Sequence, residues 1–150
     1  MQLVHSPFNE TPEQEFQLNT NQRISVRQLS LWVYTHALTD GASIRIRLYN
    51  TDGNVLLYSK TMTGAEVKTS IGATQTYAHG KLNLDTGTEV LLGRGAYKVT
   101  AEQLSEYTDS TYISWCTDWE STYQELESAS TDDMTDPYYL RLYDRRMREV

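Results

Sequence analysis

The sequence predicts an all-β protein, an antiparallel β-sandwich of the jelly-roll kind with about nine strands. Three observations predict this class: apolar and polar residues alternate with period two, turn-forming residues recur about every 8 to 12 positions, and no stretch has a convincing helical period. The clearest element is the hairpin over residues 43–60, in which SIRIRLYN and VLLYSK flank a Gly-containing turn. We expect its aliphatic side chains to cover a core, and Arg45 and Arg47 to face water or a partner.

The N-terminal part of the chain predicts a lead-in and then a long strand. Residues 1–13 are interpreted as the lead-in, and residues 14–143 as the sandwich domain. Alternation over residues 23–36 predicts a long strand whose apolar parity changes near Arg27, which indicates a β-bulge.

Beyond the central hairpin the pattern is more polar. Residues 61–78 predict a weak strand inside long loops, and residues 81–84 predict a strand that ends in the turn Asp85-Thr86-Gly87. A second hairpin is predicted around Gly93-Arg94-Gly95, because apolar alternation occurs on both sides of it.

The last third predicts two further strands and a tail. Residues 111–119 are predicted to form a long central strand, with Trp115 and Trp119 facing the core. Residues 138–143 predict the last strand, and residues 144–150 form a basic tail.

Composition restricts the partners. The chain has 20 acidic and 13 basic residues, a formal charge of −7, which disfavours nucleic acid and anionic membranes. With one cysteine, Cys116, and three scattered histidines, we expect no internal disulfide, no metal and no cofactor. The first residues lack the basic and apolar regions of a secretion signal, so we expect a protein made in a cytoplasm.

Charge is segregated near the C-terminus. Residues 101–137 contain ten acidic residues and no Lys or Arg, whereas four arginines fall within the last ten positions. Because a guanidinium pairs bidentately with carboxylates, we predict that the arginine tail docks on an acidic surface, folded back or on the next subunit. The alternative is a solvated acidic loop with a free tail. The residues predicted to bind a protein partner are Tyr138, Tyr139, Arg141, Tyr143, Arg145, Arg146 and Arg148.

An aromatic platform is the alternative binding site. Trp32 and Tyr34 lie on the strand face opposite the aliphatics Leu29, Leu31 and Val33, and flat exposed rings stack on sugars. Two tyrosines of the hairpin would continue this face, Tyr49 and Tyr58. The competing interpretation is that the rings are covered or belong to the core.

Catalytic motifs are absent from the sequence. There is no G-x-S-x-G elbow, no H-E-x-x-H and no glycine-rich phosphate loop. Asp118 and Glu120 would share a strand face, but glycosidase carboxylates normally come from separate strands, so a solvated strand end is the simpler interpretation. We therefore expect a protein that is not an enzyme. Three turn aspartates are candidates for a structural calcium or, more simply, turn formers: Asp40, Asp52 and Asp85.

The order of LSLWVYT, SIRIRLYNTDGNVLLYS, KLNLDTG and VLLGRGAYKVTAE resembles several sandwich families. Pre-peptidase C-terminal domains of secreted proteases and many carbohydrate-binding modules have a strand, a hairpin of the D-x-x-G type, here residues 49–55, and a closing L-x-x-G-x-Y-x-V strand, here residues 92–99. The chain is also similar to small jelly-roll proteins that decorate tailed-phage capsids or build phage tails. The resemblance covers residues 15–102, while the missing secretion signal and the C-terminal third depart from the module families.

The phage resemblance implies a structural component of a virion, bound to neighbouring protein subunits and homo-oligomeric. The module resemblance implies carbohydrate binding through Trp32 and Tyr34. We take the virion component as the main hypothesis.

Overall fold

In a computed structural model of the chain, the structure describes residues 3–10, 12–19, 21, 23–118 and 141–144. Within these residues the chain forms nine strands and one short helix, which confirms the predicted all-β sandwich. The strands are β1 (Leu3–Pro7), β2 (Glu13–Leu18), β3 (Ile24–His36), β4 (Ser43–Asn50), β5 (Val55–Thr63), β6 (Tyr77–Leu92), β7 (Gly95–Gln103), β8 (Tyr112–Asp118) and β9 (Arg141–Asp144). The helix α1 (Gly64–Ser70) joins β5 to β6.

The strands form two antiparallel sheets. Sheet A has the order β1-β8-β3-β6, and sheet B has the order β2-β7-β4-β5. Each strand of the first half pairs with its mirror image in the second half, β1 with β8, β2 with β7, β3 with β6 and β4 with β5. The chain is therefore one long hairpin with its tip at β4–β5, rolled into two sheets, which is the strand order of a jelly roll.

Strand β9 joins sheet A by pairing with the same edge of β3 that β8 pairs with, at a different position along β3. Along the same edge of β3, β8 pairs with residues 33–36 and β9 pairs with residues 26–30. The 13-residue length of β3 is what gives room for two partners on one edge.

The core lies between the sheets. On β3 the side chains of Leu29, Leu31 and Val33 are fully buried, as the predicted parity requires. On β4, Ile44 and Ile46 are fully buried and Leu48 is 1% exposed. Trp115 of β8 is also fully buried, as predicted, with its ring centroid 4.9 Å from that of Phe8. Trp119 lies outside the described residues.

A bulge interrupts β3 and β6 together. The register shifts between Val26 and Gln28, which confirms the predicted bulge, and residues 86–89 of β6 loop out opposite it. The Asp85 carboxylate accepts a hydrogen bond from the Gly87 N–H at 2.7 Å, and Gly87 has a φ of 73°. The predicted turn exists locally, but the chain continues in the same strand instead of reversing.

The predicted hairpin around Gly93-Arg94-Gly95 is wrong. Strand β6 belongs to sheet A and β7 to sheet B, so this segment crosses between the sheets. The Tyr97 hydroxyl donates to the Gly93 carbonyl at 2.8 Å, and the ring of Tyr97 is buried against the core.

The prediction of a weak strand inside long loops over residues 61–78 is wrong for residues 64–70, which form the helix α1. Thr63 is its N-cap, and a capping box forms between Thr63 and Glu66, in which each side chain accepts from the other residue's backbone N–H at 3.1 Å. Val67 is fully buried and Ile71 is partly buried, so this spacing of four anchors the helix.

The predicted N-terminal lead-in contains strand β1, which pairs with β8 at the edge of sheet A. In the described part of the chain, no helix has the length and apolar character needed to span a membrane.

Candidate functional site

The outer side of sheet A carries a cluster of rings, here called the aromatic face. The register places Tyr34 opposite His79 and His36 opposite Tyr77 on β6, and it places His36 opposite Tyr112 on β8. Residues that pair directly across antiparallel strands lie on the same side of the sheet. The aromatic face is defined by Trp32, Tyr34, His36, Tyr77, His79 and Tyr112.

His36 is the centre of this cluster. Its ring lies parallel to the Tyr112 ring, with centroids 4.7 Å apart and an interplanar angle of 5°. The Tyr77 ring is 4.6 Å away on another side, and His36 Nδ1 is hydrogen-bonded to the Tyr34 hydroxyl at 2.7 Å. The stack thus fixes rings from three neighbouring strands in one arrangement.

The rings differ in their access to solvent. Trp32 is 39% exposed and Tyr77 is 54% exposed, whereas Tyr34 is only 7% exposed. Of the predicted platform pair, Trp32 is therefore accessible and Tyr34 is not. Tyr34 is covered because the rings of His36, His79 and Tyr112 all pack against it.

His79 is exposed but sits against the Tyr34 ring, with centroids 4.9 Å apart. Partial burial lowers the pKa of His79 from its ordinary value, because desolvation disfavours the charged imidazolium. Burial therefore favours the neutral form of this imidazole.

Polar groups border the aromatic face toward β9. Lys81 Nζ donates to the Tyr143 hydroxyl at 2.8 Å and lies 4.8 Å from the centre of that ring. Beyond it, the Ser30 hydroxyl donates to the Asn83 side-chain oxygen at 2.7 Å. Across the outward positions 32–36, 77–81 and 112–114, Lys81 carries the one permanent charge among the described side chains.

The outer side of sheet B is charged, and it is here called the ion-paired face. Arg45 pairs with Glu102 at 3.0 Å, and Lys98 pairs with Glu13 at 3.5 Å. Arg47 donates to the Tyr49 hydroxyl at 3.2 Å. The ion-paired face is defined by three acids and three bases: Glu13, Glu15, Arg45, Arg47, Lys98 and Glu102. Both hairpin arginines face away from the core, as the sequence predicts.

Two clefts flank the helix α1. One, of about 870 Å³, lies between α1 and the segment that joins β3 to β4; there Lys68 Nζ donates to the Leu38 carbonyl at 2.8 Å and pairs with Asp40. The other, of about 510 Å³, lies between β5 and β6 and includes Met62 and Leu84. The contacts of Lys68 tie the helix to the neighbouring segment, which is a structural role.

The turn aspartates make local contacts. Asp40 pairs with Lys68, and Asp85 accepts the backbone N–H of Gly87. Asp52 lies in the exposed turn between β4 and β5. Among the described residues, no three His, Cys, Asp or Glu side chains come together in a way that could hold a metal ion.

Two of the seven residues predicted to bind a protein partner lie in β9. Tyr143 is partly buried against Lys81, so its hydroxyl and ring are engaged within its own sheet. Arg141 pairs with Ser30 through the backbone of β9. The other five lie outside the described residues: Tyr138, Tyr139, Arg145, Arg146 and Arg148.

The remaining residues that the sequence singled out do not join the aromatic face. Tyr49 belongs to the outer side of sheet B, and the Tyr58 hydroxyl contacts the Asp85 carbonyl at 3.4 Å, so neither tyrosine extends the aromatic face. Asp118 ends β8, and Glu120 lies outside the described residues. The acidic segment 101–137 includes Glu102, which forms an ion pair with Arg45 on the ion-paired face.

Sequence reasoning missed most of the aromatic face. It placed Trp32 and Tyr34 on one side of their strand, but it treated the histidines as scattered and did not bring in Tyr77, His79 or Tyr112. The alternation of Tyr77, His79 and Lys81 was a signal for an outward strand face. This signal was missed because residues 61–78 were predicted to be a weak strand inside long loops, so residues 77–81 were not recognised as one strand.

No protein-family model matches the chain, and no curated protein matches it. The function is therefore inferred from the fold and from its two outer faces.

Proposed function

We propose that the protein is a non-enzymatic structural subunit of a larger assembly, and that it docks onto a second copy of itself through the aromatic face. We further propose that the assembly is a virion, in which the protein is a capsid-decoration or tail component, as its resemblance to phage jelly-roll proteins implies. The observation that carries the docking proposal is the exposure of Trp32 and Tyr77 on a sheet face whose described side chains carry one permanent charge, that of Lys81.

Charge favours this face over the rest of the surface for contact between copies. A chain with a formal charge of −7 repels its copies at most orientations. The centres of protein interfaces are depleted of charged residues and enriched in tyrosine, tryptophan and arginine, and the aromatic face has that composition. The ion-paired face lacks it, because six charged residues define this face and four of them are paired with one another within the chain.

The position of β9 supports a second attachment. Leu142 of β9 is buried and β9 pairs with β3, so the strand that directly precedes Arg145 is held in sheet A. The proposed role of Arg145, Arg146 and Arg148 is to pair with acidic residues of the neighbouring subunit.

The docking proposal is tested by placing a charge on each outer face and measuring self-association by sedimentation equilibrium. Trp32→Glu on the aromatic face is expected to weaken association by at least about 100-fold, the loss of an interface anchor. Thr61→Glu is the matched control, since Thr61 is exposed on β5 opposite Arg45. Equal effects of the two variants, or a monomeric parent protein, would contradict the proposal.

The tail is tested by deleting residues 145–150, which leaves β9 intact. Association is expected to weaken at low salt and to differ little from the parent at 1 M salt, where the Debye length is about 3 Å. Unchanged association at every salt concentration would remove the tail from the proposed contact. The proposed location is tested by whether the protein sediments with purified virus particles.

Carbohydrate binding is the second candidate function, and the same exposed rings favour it. Trp32 pairs with Lys81, four residues from Tyr77 along β6, so the two exposed rings are separated by about 13 Å along the strands. His79 lies between the two rings and Lys81 lies beside Trp32, and both offer hydrogen bonds, as a short oligosaccharide stacked on both rings would require.

A glycan array separates the two functions. If the candidate is correct, a monomeric protein is retained by at least one glycan, and both Trp32→Ala and Tyr77→Ala abolish retention, while Tyr49→Ala on the other sheet does not. Retention that survives both substitutions would exclude the aromatic face as a sugar site.

A further inference from the structure

We propose that Lys60 and the bulge at Leu57 keep the free edge of β5 from pairing with the same strand of a second copy. This obstacle acts independently of the proposed docking through the aromatic face. It prevents two copies from joining edge to edge, and it makes Lys60 a residue that determines which surface of the protein associates.

Strand β5 is the last strand of sheet B, and one of its edges is unpaired. β4 pairs with one side of β5, and no other strand in the described part of the chain pairs with the other side. Such an edge presents backbone N–H and C=O groups that can pair with another chain. β5 is nine residues long, contains no proline, and begins with two exposed aliphatic residues, Val55 and Leu56. It therefore has the length and composition of an edge that associates.

Lys60, the one charged residue of β5, lies on the inner side of sheet B. It pairs directly with Ile46, whose side chain is fully buried between the sheets, and residues that pair in this way lie on the same side of a sheet. Met62, two residues further along the same side, is buried. Lys60 itself is exposed, because the sandwich is open beside β5, and none of the described residues forms an ion pair with it.

A strand added to β5 would close this opening. It would extend sheet B over the cleft of about 510 Å³ that Lys60 lines together with Leu84, and its inner side chains would cover the Lys60 ammonium. Covering an ammonium that has no partner is strongly unfavourable. Glu66 and Asp85 line the same cleft, and each already accepts a backbone N–H of its own chain. An added strand would therefore remove water from these carboxylates as well.

The bulge changes the shape of the same edge. Leu48 pairs with Tyr58 and Tyr49 pairs with Leu56, so Leu57 is an extra residue on β5. A bulge bends the strand and increases its twist, which disrupts the regular spacing of the free N–H and C=O groups. Charge and shape thus act together on one edge.

The other edge strands have different obstacles. β1 is five residues long and ends at Pro7, while β2 follows Pro12 and carries Glu13 and Glu15. The pairing of β6 with β3 is interrupted where residues 86–89 loop out. β5 is therefore the edge at which the loss of a single charge is expected to have the largest effect.

The test replaces Lys60 and measures self-association of the full chain by sedimentation velocity, with circular dichroism to verify folding. Lys60→Ile removes the charge from the inner side and is expected to tighten association by at least about tenfold. Lys60→Glu keeps a charge there and should not tighten it. Both variants make the chain more acidic, so the pair separates the effect of an inner charge from that of net charge.

Thr61→Ile is the matched control, because Thr61 is exposed on the outer side of the same strand. It adds the same apolar side chain without removing a charge and should leave association unchanged. Amide hydrogen exchange over residues 55–61 should slow in the associated Lys60→Ile protein, which locates the contact at the edge of β5. Lys60→Gln should act in the same direction and serves if Lys60→Ile does not fold.

Equal association of Lys60→Ile and the parent would overturn this inference and leave the proposed docking standing. Tightening in Lys60→Glu, equal tightening in Thr61→Ile, or unchanged exchange over residues 55–61 would also overturn it. The added association should persist in Trp32→Glu/Lys60→Ile, and its loss there would assign the contact to the aromatic face instead. If the parent is monomeric, which would contradict the docking proposal, Lys60→Ile is still expected to associate.

Discussion

The outer faces of the two sheets present different kinds of side chain to solvent. On sheet B, three acids and three bases alternate across strands, and Arg45 with Glu102 and Lys98 with Glu13 form ion pairs within the chain. On sheet A, rings from β3, β6 and β8 stack on one another around Tyr34 and His36. The face of sheet B carries charged side chains, four of which are paired within the chain, while the face of sheet A leaves aromatic rings partly exposed.

The difference bears on which face we propose as the contact with a partner. A partner that covers the ion-paired face must desolvate charges that are already paired, which costs free energy without a new contact. A partner that covers the aromatic face removes apolar area from water at about 25 cal/mol for each Å². The same sandwich thus has one face suited to solvent and one suited to a partner.

The largest expected difference between the two faces is in the free energy of unfolding after one tyrosine is removed from each face. Tyr34→Ala is expected to lower the free energy of unfolding by about 3 kcal/mol, because the ring is 7% exposed and supports three others. Tyr49→Ala should cost about 1 kcal/mol, since its ring is only partly buried beside Lys98. Urea unfolding of both variants measures the difference, and equal losses would show that the aromatic face has no special role in stability.

A smaller effect isolates the hydrogen bond at the centre of the stack. Tyr34→Phe keeps the ring and removes the hydroxyl that bonds to His36, so the expected loss is about 1 kcal/mol. The Nδ1 resonance of His36 in an NMR spectrum should shift in this variant. An unchanged resonance would mean that the bond is not formed in solution.

The ion-paired face is tested by a double-mutant cycle on Arg45 and Glu102. Both side chains are partly exposed, so we expect a coupling energy of about 0.5 kcal/mol at low salt. High salt should reduce it toward zero. A coupling above about 2 kcal/mol would contradict the description of this face as a solvated, locally paired surface.

The smallest effect lies at the seam between the sheets. Burial and the nearby charge of Asp85 raise the pKa of Tyr58 above its ordinary value of 10.0. The folded state therefore favours the neutral phenol, and this contribution to stability is present below pH 10 and is lost as the pH rises further. Unfolding free energies measured between pH 9 and 11 should fall less steeply in Tyr58→Phe than in the parent.

Much of the fold was predictable because strand alternation is a local signal. The buried side chains of β3 and β4, the bulge after Val26 and the burial of Trp115 all follow from parity in the sequence. The helix was missed because residues 61–78 were judged by their polarity. The capping box from Thr63 to Glu66 and the four-residue spacing of Val67 and Ile71 were the signals that indicated it.

The candidate site was less predictable, since it depends on pairing between distant strands. No local pattern specifies that Tyr77 pairs with His36, or that Tyr112 stacks on the same ring from the other side. The false hairpin at Gly93-Arg94-Gly95 has the same origin, because alternation on both sides of a turn does not tell whether the two strands share a sheet.

The rolled hairpin has a consequence for synthesis. Leu3 of β1 pairs with Asp118 of β8, so β1 has no partner during synthesis until more than one hundred further residues have been made. At about 5 to 20 residues per second, this interval is of the order of 5 to 20 seconds. The hairpin of β4 and β5 completes itself early, and we expect the nascent chain to fold outward from that tip and to close at its two ends last.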